Sequence, residues 1–193
     1  IELTNPQDIR AMLLNRYLLS GIKHADRVIA VSEYTKQTIV ERLDISSSRI
    51  TVIPNGVSGS YKPIQNFTQT IAYQELLQDF AITNPSPVIL YIGSEHPRKN
   101  LETVLRTVAI LKKQYPNIVL LKIGDPGIRS GRVRTLELID EFHLRKNVTL
   151  LGNISIERIN ELYNIANALL FPSHLEGFGM PPLEAMAAGC PVA

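Results

Sequence analysis

VILYIGSEHPRKNLETVLRTVAILKKQYPNIVLLKIG, residues 88–124, decides the fold. It opens and closes on continuous apolar runs, VILYIG and NIVLLKIG, each short and ended by glycine. Between them NLETVLRTVAILKKQYP has the apolar spacing of a helix, with Asn100 placed to cap its start. Strands without polar alternation are buried on both faces. A strand, a helix and a second such strand make a parallel crossover unit.

The same alternation continues outward. Arg132–His143 reads as a helix, NVTLLG as a strand, and SIERINELYNIA as a helix capped by Ser155. ALLFPS reads as a strand, and PPLEAMAA as a helix stopped by Gly189. Towards the amino end, residues 9–24 have helical spacing, and Arg27–Ser32 and Ile50–Ile53 read as short strands. Glu33–Leu43 is an amphipathic helix capped by Ser32, and Pro54-Asn55-Gly56 is a breaker. Residues 58–86 are polar and proline-containing, with a short helix near Ala72–Phe80. The expected organisation is therefore an α/β unit ending near residue 57, a linker or insertion over 58–86, and a parallel-sheet domain over 87–193.

Composition excludes several classes. The chain has 193 residues, 45% hydrophobic and 20% charged, with net charge +2, so nothing in the balance favours nucleic acid. Its single cysteine, Cys190, allows no internal disulfide and fits a reducing compartment. It sits in an apolar setting and reads as a small core residue. The apolar runs are too short to span a bilayer. With Ile1 first and Pro-Val-Ala last, the chain reads as a fragment cut at both ends.

In open parallel sheets, ligands bind beyond the carboxyl ends of the strands, so the loops after strands carry the chemistry. GSEHPRKN, residues 93–100, puts Arg98 and Lys99 at the amino end of a helix. That is an anion site suited to phosphate, or a surface turn with solvated charges. GDPGIRSGRVR, residues 124–134, reads more as a solvated helix face than as a nucleotide contact. LGNIS, residues 151–155, is expected beside the loop after ALLFPS. In HLEGFGMPPLEAM, Glu176 and Glu184 have seven residues between them. One continuous helix would set the two about 12 Å apart, but the glycines and prolines forbid it. Glu176 is expected on the loop and Glu184 in the first helical turn, both facing one cleft with the backbone N–H groups of Phe178, Gly179 and Met180. Glu184 there could clamp neighbouring hydroxyls, or serve only the helix dipole. No Asp-x-Asp, His-Glu-x-x-His, paired-cysteine or Gly-x-Ser-x-Gly motif is present. No metal site is expected.

EGFGMPPLEAMAAGCPV resembles the signature of retaining group-1 glycosyltransferases (family 4), which have two Rossmann-like domains in the GT-B arrangement. YIGSEHPRKNLETVL is similar to the phosphate loop of that family. ADRVIAVSEYTKQTI, VIPNGV and YKP resemble its last amino-domain segment and hinge. Many members carry arginine directly after the loop glycine, where this chain has Ser94. The resemblance implies transfer of a sugar from a nucleotide diphosphate sugar to an acceptor hydroxyl, with retention of configuration. It implies no metal and no cofactor, because Arg98 and Lys99 would neutralise the departing diphosphate. It places donor contacts at Gly93, Ser94, Arg98, Lys99, Gly152, Ile154, Gly177, Phe178, Gly179, Met180, Leu183 and Glu184. Glu184 would hold the ribose, and Glu176 would be the catalytic residue at the sugar ring. The acceptor would be a glycan, a lipid or another hydroxyl compound. The expected location is the cytoplasm, with contact to a membrane surface left open. The fragment is expected to bind donor and hardly turn over. A non-catalytic relative that binds nucleotide sugars and a sugar-nucleotide epimerase are the alternatives.

Overall fold

The computed structural model describes residues 9–69, 71–82, 86–127 and 129–193. The chain divides after Gly56 into two compact units.

The first unit contains α1 (Ile9–His24), β1 (Val28–Ala30), α2 (Glu33–Leu43) and β2 (Ile50–Val52). β1 and β2 pair in parallel, with Val28 opposite Ile50. Ser32 caps α2 as expected, its side chain accepting from Thr35 N at 3.1 Å. Ala30, Ile39, Leu43, Ile45 and Ile50 form the buried cluster.

The second unit runs through α3 (Ile71–Asp79), β3 (Val88–Ile92), α4 (Leu101–Leu111), β4 (Val119–Ile123) and α5 (Arg129–Glu141). It continues with β5 (Val148–Leu151), α6 (Ile156–Ile165), β6 (Ala168–Leu169) and α7 (Met180–Ala187). All four strands are parallel, in the order β5-β4-β3-β6. A further parallel bridge joins Leu169 to Val192. Alternate residues of the strands face opposite ways. Val88, Leu90, Val119, Leu121 and Ile123 pack in one buried cluster with residues of α3, α6 and α7. Ile89, Tyr91 and Leu120 pack in the other with residues of α4 and α5. Burial on both faces is why these strands read as unbroken apolar runs.

Four expectations are corrected. The segment 58–86 is not a linker: Phe67, Leu76, Leu77 and Ile82 are buried in the second unit's core. Its sparse apolar residues are the ones that pack. Asn100 occupies the N-cap position of α4 as expected, but it does not cap by its side chain: it lies in the left-handed region at φ 53° and makes no capping bond. Instead its Nδ2 donates to the Pro172 carbonyl at 3.2 Å. The strand expected over ALLFPS is regular only at Ala168–Leu169; single backbone bonds carry it on, Leu170 N donating to Leu90 O at 2.9 Å and Phe171 N to Ala193 O at 2.8 Å, until Pro172, which has no N–H. The LGNIS loop does not lie beside the loop after β6, because β4 and β3 stand between β5 and β6 in the sheet.

Candidate functional site

β3 ends at Ile92, and Gly93 N donates to Ile123 O at 3.0 Å, so the loop after β3 leaves the sheet tied to β4. The Tyr91 ring is buried, and its hydroxyl donates to Ser94 O at 3.0 Å and approaches Lys99 O at 3.3 Å. One phenol thus holds both ends of the loop. Pro97–Lys99 forms a single 3-10 turn. That turn delivers Arg98 and Lys99 to the segment after β6. His174 N donates to Arg98 O at 2.9 Å, and Arg98 Nη1 donates to Leu175 O at 3.2 Å.

Glu176 joins the two loops electrostatically. Its Oε1 lies 2.5 Å from Lys99 Nζ, and its Oε2 lies 3.6 Å from Arg98 Nη1. Lys99 Nζ also sits 5.5 Å from the centre of the Phe171 ring. The cluster holds two cations and one carboxylate, a net charge of +1. Its side chains are partly open to solvent at 13–32% exposure, so an incoming anion can reach them.

Glu184 has a different setting. It is the fifth residue of α7, one turn beyond the expected first turn, because the helix begins at Met180. The expectation of the first turn is therefore corrected. The Tyr163 hydroxyl lies 3.2 Å from Glu184 Oε2. Burial raises the carboxyl above the usual range, and the Tyr163 hydrogen bond, with the nearby Tyr61 phenol, partly opposes this. Gly179 precedes α7 at φ 89°, a conformation that a side chain would strain, and a Cβ there would stand 3.9 Å from the Phe171 ring.

The other expected residues fall around these two centres. Ser94 belongs to the loop after β3, and Gly152 to the loop after β5. Gly152 O accepts from Gly124 N at 3.3 Å, and a Cβ on Gly152 would meet nothing within 4 Å. Ile154 packs against the core. Phe178, Met180 and Leu183 are half-buried, and Gly177 is exposed.

Where the loop after β3 meets β4 lies a cluster that the sequence reading missed. Glu95 pairs with Lys122 at 2.9 Å and with Arg132 at 2.7 Å, and the Glu95 and Lys122 side chains are both 0% exposed. Lys122 Nζ also donates to Gly124 O at 2.7 Å. Burial alone would raise the Glu95 carboxyl. Hydrogen bonds and charge from Arg132 and Lys122 outweigh burial and hold it below the ordinary range. Burial lowers Lys122, against the pull of Glu95. A lysine inside the apolar run VLLKI was the available signal, since a buried ammonium needs an anion. Arg132, read as part of a solvated face, is instead a partner of this carboxylate.

With the geometry in view, the likeness to known proteins is specific. The pattern described as "Glycosyl transferases group 1" matches residues 73–193. The chain belongs to this family. The pattern "Glycosyltransferase Family 4" matches residues 3–60. The serotype-specific mannosyltransferase WbdA of Escherichia coli is 29% identical over 187 residues, covering 94% of this chain and 22% of that protein. The O-antigen chain mannosyltransferase RfbU of Salmonella typhimurium is 28% identical over 178 residues, covering 92% of this chain and 44% of that protein. The crystal structure of Anabaena Alr3699/HepE in complex with UDP-glucose superposes with TM-score 0.77 at 21% identity. That superposition covers 92% of this chain and 47% of the other. The fold is thus of the GT-B glycosyltransferase type. The chain spans about half or less of the length of these relatives.

Family membership leaves close packing at the loop to this chain's own residues. A Cβ on Gly131 of α5 would stand 2.7 Å from the Glu95 carbonyl oxygen, a backbone atom with little freedom to move. Gly131→Ala is expected to destabilise by about 1–2 kcal/mol, overpacking outweighing the gain in helix propensity. A urea melt beside the parent measures it.

Proposed function

We propose that this chain carries the donor-binding part of a glycosyltransferase that uses a nucleotide diphosphate sugar, works without a metal or other cofactor, and retains anomeric configuration. One observation carries the reading. The Arg98–Lys99 turn and the Glu176 loop meet in one solvent-accessible cluster at the carboxyl ends of β3 and β6, where parallel sheets take ligands. The cations would meet the diphosphate and stabilise it as it leaves. Glu176, at the same junction, would face the sugar ring. Glu184, held by phenols rather than cations, would accept hydrogen bonds from the ribose. Gly152 and Ile154 would border the base. Relatives named as mannosyltransferases favour a hexose as the transferred group. The acceptor is a hydroxyl compound such as a glycan or lipid. The unit ending at Gly56 is assigned to the acceptor-side domain. No helix among the described residues is long and apolar enough to cross a membrane.

The direct test is calorimetric titration of the chain with uridine and guanosine diphosphates and their sugar conjugates, chelator present. Binding selective for one base supports the reading. Binding that appears only when a divalent ion is added overturns the metal-free donor site. Glu184→Ala is expected to weaken binding of the preferred nucleotide by about 10- to 150-fold, the range for hydrogen bonds to a charged group. Unchanged affinity would remove the ribose role. Retention is tested on the whole protein by the anomeric configuration of its first product.

A further inference from the structure

The two glutamates of the glycine-proline segment are held by opposite chemistries. Glu176 is held by two cations. Among the described residues, the groups that oppose the effect of burial on Glu184 are two phenols. One belongs to Tyr163 on α6, whose ring is 1% exposed. Its hydroxyl lies 3.2 Å from Glu184 Oε2 and 3.3 Å from the carbonyl of Pro181, so its one proton is shared between the carboxylate and the start of α7.

The other phenol is Tyr61. Its ring meets that of Tyr163 edge-on, with centroids 6.0 Å apart and planes at 70°, and its phenol acts on the same carboxyl. Tyr61 is fixed by the chain that follows it. Lys62 N donates to Asn160 Oδ1 at 2.9 Å, and Ile64 N donates to Asn164 Oδ1 at 2.8 Å. Asn164 Nδ2 returns a bond to Lys62 O at 3.1 Å. Asn160 and Asn164 are one turn apart on α6, so they fasten residues 62–64 as a strap along the helix. The strap holds Tyr61 over Tyr163 and Glu184.

We infer that Tyr61 and Tyr163 are positioning residues that hold the Glu184 carboxylate for the donor ribose. The inference rests on the ribose role proposed for Glu184. The Tyr163 hydroxyl on one carboxylate oxygen limits its rotation, the Tyr61 ring packed on Tyr163 steadies that phenol, and lone pairs remain for a diol. A cation in place of the phenols would compete with the ribose for the same oxygens. The phenols also set when the site works. Burial raises the Glu184 carboxyl, and Tyr61 and Tyr163 pull it back down. Cys190 is the other titratable group acting at Tyr163, and burial pushes its thiol up. Ribose affinity should therefore rise with pH as Glu184 ionises. Removing either hydroxyl should move that rise to higher pH.

The test measures affinity of the 193-residue chain for the preferred nucleoside diphosphate and for its 2′-deoxy counterpart across pH. Parent, Tyr61→Phe, Tyr163→Phe and Glu184→Gln are compared. The expected result is a ribose-over-deoxyribose preference that Glu184→Gln abolishes. Tyr163→Phe should shrink it by about 3- to 10-fold, the worth of one hydrogen bond, and Tyr61→Phe should shrink it by less. The pH midpoint should move upward in both Phe variants. If both melt earlier yet keep the parent's preference and midpoint, the phenols only fill the core, and the inference is overturned while the ribose role stands. If Glu184→Gln keeps the preference, the ribose role itself fails. Should Tyr163→Phe not fold, Tyr61→Phe decides, because that ring is only partly buried.

Discussion

Lys99→Ala is expected to weaken binding of a nucleoside diphosphate by about 10- to 100-fold and to leave binding of the matching nucleoside nearly unchanged. The asymmetry follows from charge. Arg98, Lys99 and Glu176 sum to +1, and the substitution takes the cluster to zero. Lys99 is the less exposed of the two cations, at 13% against 32%, so its field is the less screened by solvent. The nucleoside has no charge to lose. The complementary change sharpens the test: Glu176→Gln raises the cluster to +2 and should tighten binding of the free diphosphate. The sugar conjugate should gain less, because its ring loses a carboxylate partner. Calorimetry at two salt concentrations reads both effects, and the charge part should fall as salt rises. Equal losses for nucleoside and diphosphate in Lys99→Ala would mean a general collapse of the loop and no phosphate role.

The fold was legible where local pattern and tertiary role agree. VILYIG and NIVLLKIG are unbroken because both faces of β3 and β4 are covered, and the helix between them, α4, carries one apolar stripe. The boundaries of α1 and α2 match because Ser32 and the apolar periodicity mark them locally. Residues 58–86 misled because Phe67, Leu76 and Leu77 are few among polar neighbours. Their burial is decided by the sheet they reach, which no local window contains. At the site, Arg98, Lys99 and Glu176 were legible, since glycine and proline around charged groups mark loops at strand ends. Their mutual pairing was not, being a contact between residues 77 positions apart. Tyr61 and Tyr163 gave no warning: one lies in the polar stretch, and the other reads as an ordinary residue of a helix's apolar face. Lys122 could have been found, as a charge inside a strand that is buried throughout.

That lysine leads to the largest expected effect on stability. Glu95→Gln should destabilise the second unit by about 3–5 kcal/mol, the usual result of removing one partner of a buried ion pair. An independent bound agrees. If Lys122 escapes by losing its proton, the cost at neutral pH is about 4–5 kcal/mol, from a normal lysine value near 10.4. Arg132 offers no relief, since its own charge adds to that of Lys122 once the carboxylate is gone, though at 33% exposure it can turn to solvent. The pH dependence has opposite signs in the two proteins. In the parent, Glu95 lies below its unfolded value. Its contribution is present above the ordinary carboxylate range and is lost as pH falls through the depressed folded value. In Glu95→Gln, the native state holds fewer protons on Lys122 than the unfolded state does, so stability should climb as pH rises towards 10. Urea unfolding across pH checks both slopes. A double variant, Glu95→Gln with Lys122→Met, should recover most of the loss, because it leaves no uncompensated ammonium in the core. If the single variant is as stable as the parent at neutral pH, the buried pair does not secure the loop after β3 to β4. Tyr91, which already bonds both ends of that loop, would then be its principal anchor.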